Sequence, residues 1–322
     1  MTNYQKDESI KVSVYCMAYN HAPYIKSALD GFVNQKTSFK YEVFVHDDAS
    51  TDGTAEIIKE YANKYPDIIK PVLETENQYS KGVIVLNQIL FPMMSGKYIG
   101  ICEGDDYWCD DRKLQLEYDF LEKHLDYSAC THNSLIHDCK TGKERPMFGL
   151  KDKEILFDEV AKGGLSCYHI SSVLYRREYA IRPKCFYEPE VGDFPQSLYL
   201  TSSGRVHYYG RVMSVYRHGT KGSWSSRIFG NPQKFEELMK HEVLMLQNID
   251  EYLDHKKHEV IEQAIVGCYY RADIANRRYK AVLKDEKYRK FIKDMDLRRK
   301  VGLYLNAYCP LIMDVYHRII RK

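Results

Sequence analysis

Short apolar runs rich in β-branched and aromatic residues alternate with amphipathic helical spacing through the first 125 residues, and two of these runs end in paired aspartates. Lys11–Ala18, Phe39–His46, Ile68–Leu73 and Lys97–Cys102 read as strands. Between and after them, Tyr24–Asn34 places Ile25, Leu29 and Phe32 on one helical face, Ala55–Tyr65 is a helix stopped by Pro66, and Gly82–Met94 and Leu114–His124 read as two more helices. Strands that are apolar on both faces belong in a parallel sheet covered on both sides. The alternation therefore predicts an α/β, Rossmann-like fold, with a mostly parallel sheet and helices on both faces. Asp47-Asp48 and Asp105-Asp106 each follow a strand. Ligands of such sheets bind outside the carboxyl ends of the strands, so both pairs are expected in one crevice.

The pattern is more mixed from Ser128 to Arg217, where Ile170–Tyr175, Val206–Tyr209 and Met213–Tyr216 are short β-like runs between loops. A Gly/Ser-rich break follows, and from Phe235 the chain is charged and helically periodic. The expected organisation is a catalytic domain over residues 1–227 and a helical region over 228–322. With 47 Lys+Arg against 45 Asp+Glu, the chain carries no field suited to nucleic acid, and no nucleic-acid partner is expected. The nine cysteines are odd in number and form no C-x-x-C pair, which argues against a cysteine zinc site and a disulfide framework. Met1–Ile10 is polar and no run of 18 apolar residues occurs, so neither a secretory signal nor a membrane span is expected. These features point to a cytoplasmic protein.

Adjacent carboxylates at the end of a buried strand repel each other unless a counter-charge is present. For Asp105-Asp106, in Ile101-Cys-Glu-Gly-Asp-Asp-Tyr-Trp108, that counter-charge is either Mg²⁺ or Mn²⁺ shared with substrate phosphates, or the N-terminus of the next helix. Asp47-Asp48-Ala-Ser-Thr-Asp-Gly-Thr54 forms a tight turn into a helix. Asp48 suits contact with a base or ribose, and Ser50, Thr51 or Asp52 suits capping.

Taken together and in order, Val12-Ser-Val-Tyr-Cys-Met-Ala-Tyr-Asn20, Asp47–Thr54 and Glu103-Gly-Asp-Asp-Tyr-Trp108 resemble the family 2 glycosyltransferases of polysaccharide biosynthesis. The resemblance covers residues 10 to 125 strongly. It extends more weakly through Gly192-Asp193-Phe194-Pro195 and Met213-Ser-Val-Tyr-Arg-His218 to Trp224. It implies the GT-A fold and a nucleotide-sugar donor, a UDP-sugar first among them, with a glycan or lipid-linked sugar acceptor and Mn²⁺ or Mg²⁺ as cofactor. It also implies roles. The backbone of Met17, Ala18 and Tyr19 lines the nucleotide pocket, and Asp48 contacts the base. Asp105 contacts the ribose or helps hold the metal, Asp106 binds the metal, and Asp193 is the catalytic base. His218 reaches the metal or diphosphate, with Arg217 or Lys221 adding positive charge.

For Asp193 the alternative is a cap on the helix beginning near Pro195. Transfer by attack opposite the leaving diphosphate would invert the anomeric centre. Two other functions fit part of the pattern: a sugar nucleotidyltransferase, which would want a Gly-rich loop that Tyr15–Ala22 lacks, and a catalytically silent assembly subunit. The basic and apolar C-terminal stretch, Arg298–Lys322, either touches the inner face of a membrane peripherally or packs as a helix with a solvated basic face.

Overall fold

The structure is a computed structural model that describes residues 9–163, 167–187, 192–220, 228 and 230–311. The chain forms two compact units. The first takes in residues up to Val160, Gly164–Pro183 and Val191–Lys221; the second takes in Ala161–Gly163, Lys184–Glu190 and Gly222–Lys322. The boundary expected at residue 227, and with it Lys221 and Trp224, falls in residues 221–227, outside the described ones.

The first unit is built on one sheet. Its strands are β1 (Ile10–Ala18), β2 (Lys40–Asp47), β3 (Ile69–Leu73), β4 (Tyr98–Ile101), β5 (Tyr107–Trp108), β6 (Tyr127–Asp138), β7 (Glu144–Pro146), β8 (Lys153–Ile155), β9 (Leu174–Arg176) and β10 (Arg205–His218). The order is β3-β2-β1-β4-β9-β6-β10-β5, with β7 on β6 and β8 on β10. The half from β3 to β4 is parallel, and the other half is mixed, with β6 and β10 parallel and the remaining pairs antiparallel. This is the GT-A architecture, with a helical C-terminal region.

The expected strands of the parallel half are present because both their faces are buried: Val12, Val14, Cys16, Val43 and Val45 are fully buried on one face, and on the other Tyr15 and Phe44 are buried beside Ser13, whose Oγ donates to Glu42 Oε1 at 2.6 Å. Helix α1 (Ile25–Val33) covers them with Ile25, Ala28, Leu29 and Phe32, which recur at helical spacing. Helix α2 (Thr54–Lys64) follows Gly53, whose φ of +96° favours glycine. Helix α3 spans Lys113–Lys123. The helix expected over Gly82–Met94 shrinks to one turn, Leu86–Leu90, between Gly82 at φ +72° and Pro92.

The middle of β6 is a run of four polar residues, yet Thr131, His132, Asn133 and Ser134 are fully buried. Each has a partner. Thr131 bonds Ser172, and His132 Nδ1 lies 2.9 Å from Glu117 Oε1. Asn133 Nδ2 donates to the Phe148 carbonyl at 3.0 Å, and Ser134 bonds Ser214 at 2.7 Å. Hydrogen-bonded polar groups cost far less to bury than unpaired ones; of these side chains His132 Nε2 is the atom left without a partner. The runs Val206–Tyr209 and Met213–Tyr216 are one strand, β10, broken by a register shift between Tyr209 and Val212. Gly210 lies in that bulge, where a Cβ would come within 2.2 Å of the Leu150 carbonyl.

The second unit contains α6 (Pro232–Tyr252) and α7 (His258–Ala275); earlier in the chain, α5 (Asp193–Ser203) belongs to the first unit and α4 (Phe157–Gly163) is divided between the two. Asn231 caps α6, accepting from the Gln233 and Lys234 amides at 3.1 and 3.2 Å, with Pro232 in the first turn. Shorter helices follow, among them Leu297–Tyr308. Among the described residues no helix is long and apolar enough to cross a membrane.

Candidate active site

The chain runs outward from β1 through β2 to β3 and then returns to β4 on the other side of β1, so the strand order reverses between β1 and β4. Crevices open at such points, at the carboxyl ends of the strands. The loops after β1, β2 and β4 are tied to one another there. Asp48 N donates to Ala18 O at 2.9 Å, Gly104 N to Met17 O at 2.8 Å and Cys102 N to Tyr15 O at 3.2 Å. The β2 turn holds the β1 turn through its side chains. Ser50 Oγ accepts from Asn20 N at 2.8 Å, Thr54 Oγ1 from His21 N at 2.9 Å and Asp52 Oδ2 from Ala22 N at 3.0 Å. Asp52 Oδ1 also accepts from the Thr54 amide at the start of α2, at 3.1 Å.

Gly104 is required by this knot. A Cβ there would sit 2.9 Å from Met17 O, 2.9 Å from His21 Nδ1 and 3.1 Å from the Ala18 Cβ. Gly104→Ala is therefore expected to push the β4 turn off the β1 turn and to weaken, roughly tenfold or more (a loss of about 1.4 kcal/mol), binding of the nucleotide that the sequence resemblance implies. Calorimetric titration beside the wild type checks this; equal affinity would show that the two turns need not stay in contact.

Six of the expected site residues, Met17, Ala18, Tyr19, Asp48, Asp105 and Asp106, cluster on these loops. The Met17 and Ala18 carbonyls are taken by the neighbouring turns, while Tyr19 is 49% exposed. Asp48 is buried, and its carboxylate accepts from the Gln78 amide at 2.6 Å and the Tyr79 amide at 3.2 Å.

The adjacent aspartates differ sharply. Asp106 is 2% exposed, and both its oxygens are engaged: Oδ1 accepts from the Arg217 amide at 3.0 Å and Oδ2 from Ser171 Oγ at 2.9 Å. His169 Nε2 lies 3.5 Å from Oδ2. Burial, reinforced by the charge of Asp105, holds the Asp106 carboxyl well above the usual range. Asp105 is half-buried. Its Oδ2 accepts from Thr220 Oγ1 at 3.0 Å, and its carbonyl accepts from the Arg217 guanidinium at 2.8 Å. That guanidinium also reaches Ser27 Oγ at 2.9 Å and lies over the Tyr107 ring at 4.5 Å.

Three participants were not singled out from the sequence. Glu103 is half-buried, and its carboxyl is raised by burial and then by the charges of Asp193, Asp105 and Asp106. Its carbonyl accepts from the Asp106 amide at 3.1 Å, so Glu103 opens the turn that carries both aspartates. Ser171 accepts from the Glu103 amide at 3.2 Å while donating to Asp106, and His169 accepts from the Ser171 amide at 3.3 Å. Burial pushes the His169 imidazole down to about 3, so it is neutral. Neither residue has a local sequence signal.

Asp193 is the first residue of α5, preceded by Gly192 as N-cap. Among the described residues no N–H is assigned to its carboxylate, and Asp193 is the strongest charged neighbour of Glu103. Burial pushes its carboxyl up to about 6, against the pull of Arg182. His218 ends β10, exposed, with its ring 6.3 Å from that of Tyr216. The histidine beside Asp106 is His169.

The oxygens of Glu103 and Asp105 form a hard donor set of the kind Mg²⁺ or Mn²⁺ takes, with substrate phosphates completing the shell. The charge of Asp105 helps raise the Glu103 carboxyl, and a cation between them would relieve that repulsion.

Comparison with known proteins places the fold and the family. An uncharacterised protein of Mycobacterium tuberculosis is 31% identical over 267 residues, covering 80% of this chain and 72% of that protein. The Escherichia coli UDP-Glc:alpha-D-GlcNAc-diphosphoundecaprenol beta-1,3-glucosyltransferase WfaP is 31% identical over 111 residues, covering 34% of this chain and 41% of its own. Staphylococcus aureus TarS 1–349, solved in complex with UDP-GlcNAc, superposes with a TM-score of 0.63 at 19% identity, covering 88% of this chain and 79% of that one. The model of glycosyl transferase family 2 matches residues 13–182, and the chain belongs to that family.

Proposed function

We propose that this protein transfers a glycosyl group from a UDP-sugar to a hydroxyl of a glycan or lipid-linked acceptor, with inversion and with the help of a divalent metal. The observation that supports this best is the convergence of Asp48, Glu103, Asp105 and Asp193 at the β1–β4 switch point. The TarS complex and the donor named for WfaP favour uridine.

In this reading Asp48 and the Met17–Tyr19 turn receive the nucleoside. Asp105, with Glu103 facing the same space, would hold Mg²⁺ or Mn²⁺, which would supply Lewis-acid stabilisation of the departing diphosphate. Asp106 serves as a positioning residue: pinned by Ser171 and the Arg217 amide, it fixes the turn that aims Asp105. Asp193 removes the proton of the acceptor hydroxyl as that oxygen attacks the anomeric carbon opposite the diphosphate. His218, exposed at the end of β10, is left as a contact to the diphosphate rather than to Asp106.

Nucleotide release from a panel of UDP-, GDP- and dTDP-sugars with glycan acceptors tests the proposal. Acceptor-dependent UDP release is expected. Pyrophosphate release would indicate a nucleotidyltransferase, and binding without turnover an assembly subunit.

A lipid-linked acceptor gains support from the helix Leu297–Tyr308. Leu303 and Ala307 are buried, whereas Leu297, Val301, Tyr304 and Tyr308 are 77, 47, 52 and 58% exposed, beside Arg298, Arg299 and Lys300. Apolar and aromatic side chains flanked by basic ones suit an anionic membrane surface. Residues 312–322, which continue the expected membrane segment, lie outside the described ones. Co-sedimentation with phosphatidylglycerol vesicles is expected to fall in a Val301→Asp/Tyr304→Asp double variant; unchanged binding would assign this face another role.

A further inference from the structure

The strongest unassigned chemistry lies in the second unit, where α6 turns into α7. Asp254 and His255 both adopt left-handed backbone conformations, at φ +51° and +56°, and the chain reverses within residues 253–257. The reversal brings two imidazoles back onto one carboxylate. His255 Nδ1 lies 2.8 Å and His258 Nδ1 2.7 Å from Asp250 Oδ2. Among the described residues this is the one group of three His, Cys, Asp or Glu side chains whose donor atoms lie within 4.8 Å of one another.

The carboxylate is built in. Asp250 is 6% exposed on the inner face of α6, and its second oxygen, Oδ1, is buried with no hydrogen-bond partner. A buried, unpartnered carboxylate oxygen is costly, and natural proteins keep few of them. Asp250 lines a cavity of 380 Å³ together with His255, Glu251 and Glu262. Glu262 is one helical turn beyond His258 on α7, so the two share a face. The imidazoles are open to solvent, which leaves an entry path.

We propose that Asp250, His255 and His258 form a binding site for a borderline transition-metal ion, Zn²⁺ being the best match, that clamps the α6–α7 turn. Two imidazole nitrogens and a carboxylate suit Zn²⁺ rather than Mg²⁺ or Ca²⁺, which take oxygen shells. Ligands at zinc distances of about 2.0–2.2 Å around a tetrahedral ion stand about 3.3 Å apart. The present separations of 2.7 and 2.8 Å therefore open by roughly half an ångström as the metal replaces the bridging protons. Glu262 or water supplies the fourth position. The site uses histidine and aspartate, so the cysteine spacing that argues against a cysteine zinc site does not bear on it. It also stands apart from the donor chemistry: it shares no residue with the acidic crevice.

Calorimetric titration of the reduced, chelator-treated full chain with ZnCl₂ tests this, beside His258→Asn and His255→Ala. Both histidines are exposed, so the variants should fold. Asparagine at 258 keeps a donor toward Asp250 but is a poor metal ligand, which separates a metal site from a simple hydrogen-bonded clamp. One tight equivalent of Zn²⁺ is expected in the wild type, weakened at least tenfold in both variants, as even outer-shell changes cost 10–100-fold in roughly comparable sites. Zn²⁺ but not Mg²⁺ should raise the melting temperature of the wild type more than that of either variant. Zinc binding equal in wild type and His258→Asn, or no stoichiometric zinc in the wild type, would overturn the proposal.

Discussion

Asp193→Asn is expected to abolish sugar transfer, by about 10²–10⁴-fold in kcat, while UDP binding is retained. The amide keeps the shape of the side chain at the start of α5 but cannot accept the acceptor's proton. The wild-type pH profile should carry the same residue's signature. A base works only when deprotonated, and burial pushes the Asp193 carboxyl up to about 6. The rate of transfer should therefore fall as pH drops through about 6 and level off above it. Replacing Arg182, whose charge opposes that rise, should move the limb to higher pH. Single-turnover rates across pH 5–8 for wild type and Asp193→Asn check both points. Normal turnover by the variant would remove Asp193 as the base and leave Glu103, its charged neighbour, as the carboxylate to examine.

The second large effect separates two adjacent aspartates. Asp105→Asn is expected to reduce kcat/KM by on the order of 10²–10³, the size of losing one group that stabilises developing charge. It should also abolish the dependence of donor binding on Mn²⁺. Asp106→Asn should cost less in activity and more in stability, because Asp106 is 2% exposed and both oxygens accept hydrogen bonds. Its amide oxygen can still accept from the Arg217 amide, while its NH₂ meets Ser171, whose hydroxyl can turn to accept. Steady-state kinetics with melting curves for both variants decide the matter. The reverse ranking, with Asp106→Asn the more inactive at unchanged stability, would return the metal to Asp106.

The parallel half of the sheet was legible because burial favours apolar runs: Val12, Val14, Val43 and Val45 fill one face, and Tyr15 and Phe44 are buried on the other. The paired aspartates stand out in sequence for a related reason: adjacent charges at the end of an apolar strand need hydrogen bonds or a counter-charge, and the fold gives Asp106 the hydrogen bonds of Ser171 and the Arg217 amide. Strand β6 was not legible. Thr131, His132, Asn133 and Ser134 read as a loop, and become a core strand only because Ser172, Glu117, Phe148 and Ser214 arrive from distant positions to satisfy them.

The same limit applies to the site. Ser171 and His169 reach Asp106 from 65 and 63 residues away in sequence, a relation visible only once the chain has folded. Which of two neighbouring carboxylates points outward depends on those contacts too, so Asp105 and Asp106 are equivalent in sequence and unlike in the fold. The buried pair Lys113–Glu117, 2.9 Å apart with Lys113 4.1 Å from the Trp108 ring centroid, is a further case. In sequence it is an ordinary i, i+4 surface pair, and in the fold it is fully buried beneath the β5 turn.

The most direct test of the account is a calorimetric titration of UDP into wild type and Asp105→Ala, each with and without Mn²⁺. Tight binding to the wild type only when Mn²⁺ is present, and weak, metal-independent binding to Asp105→Ala, is the predicted result. Binding that ignores Mn²⁺ in the wild type, or that survives unchanged in Asp105→Ala, would contradict a metal-assisted donor site at the β1–β4 crevice.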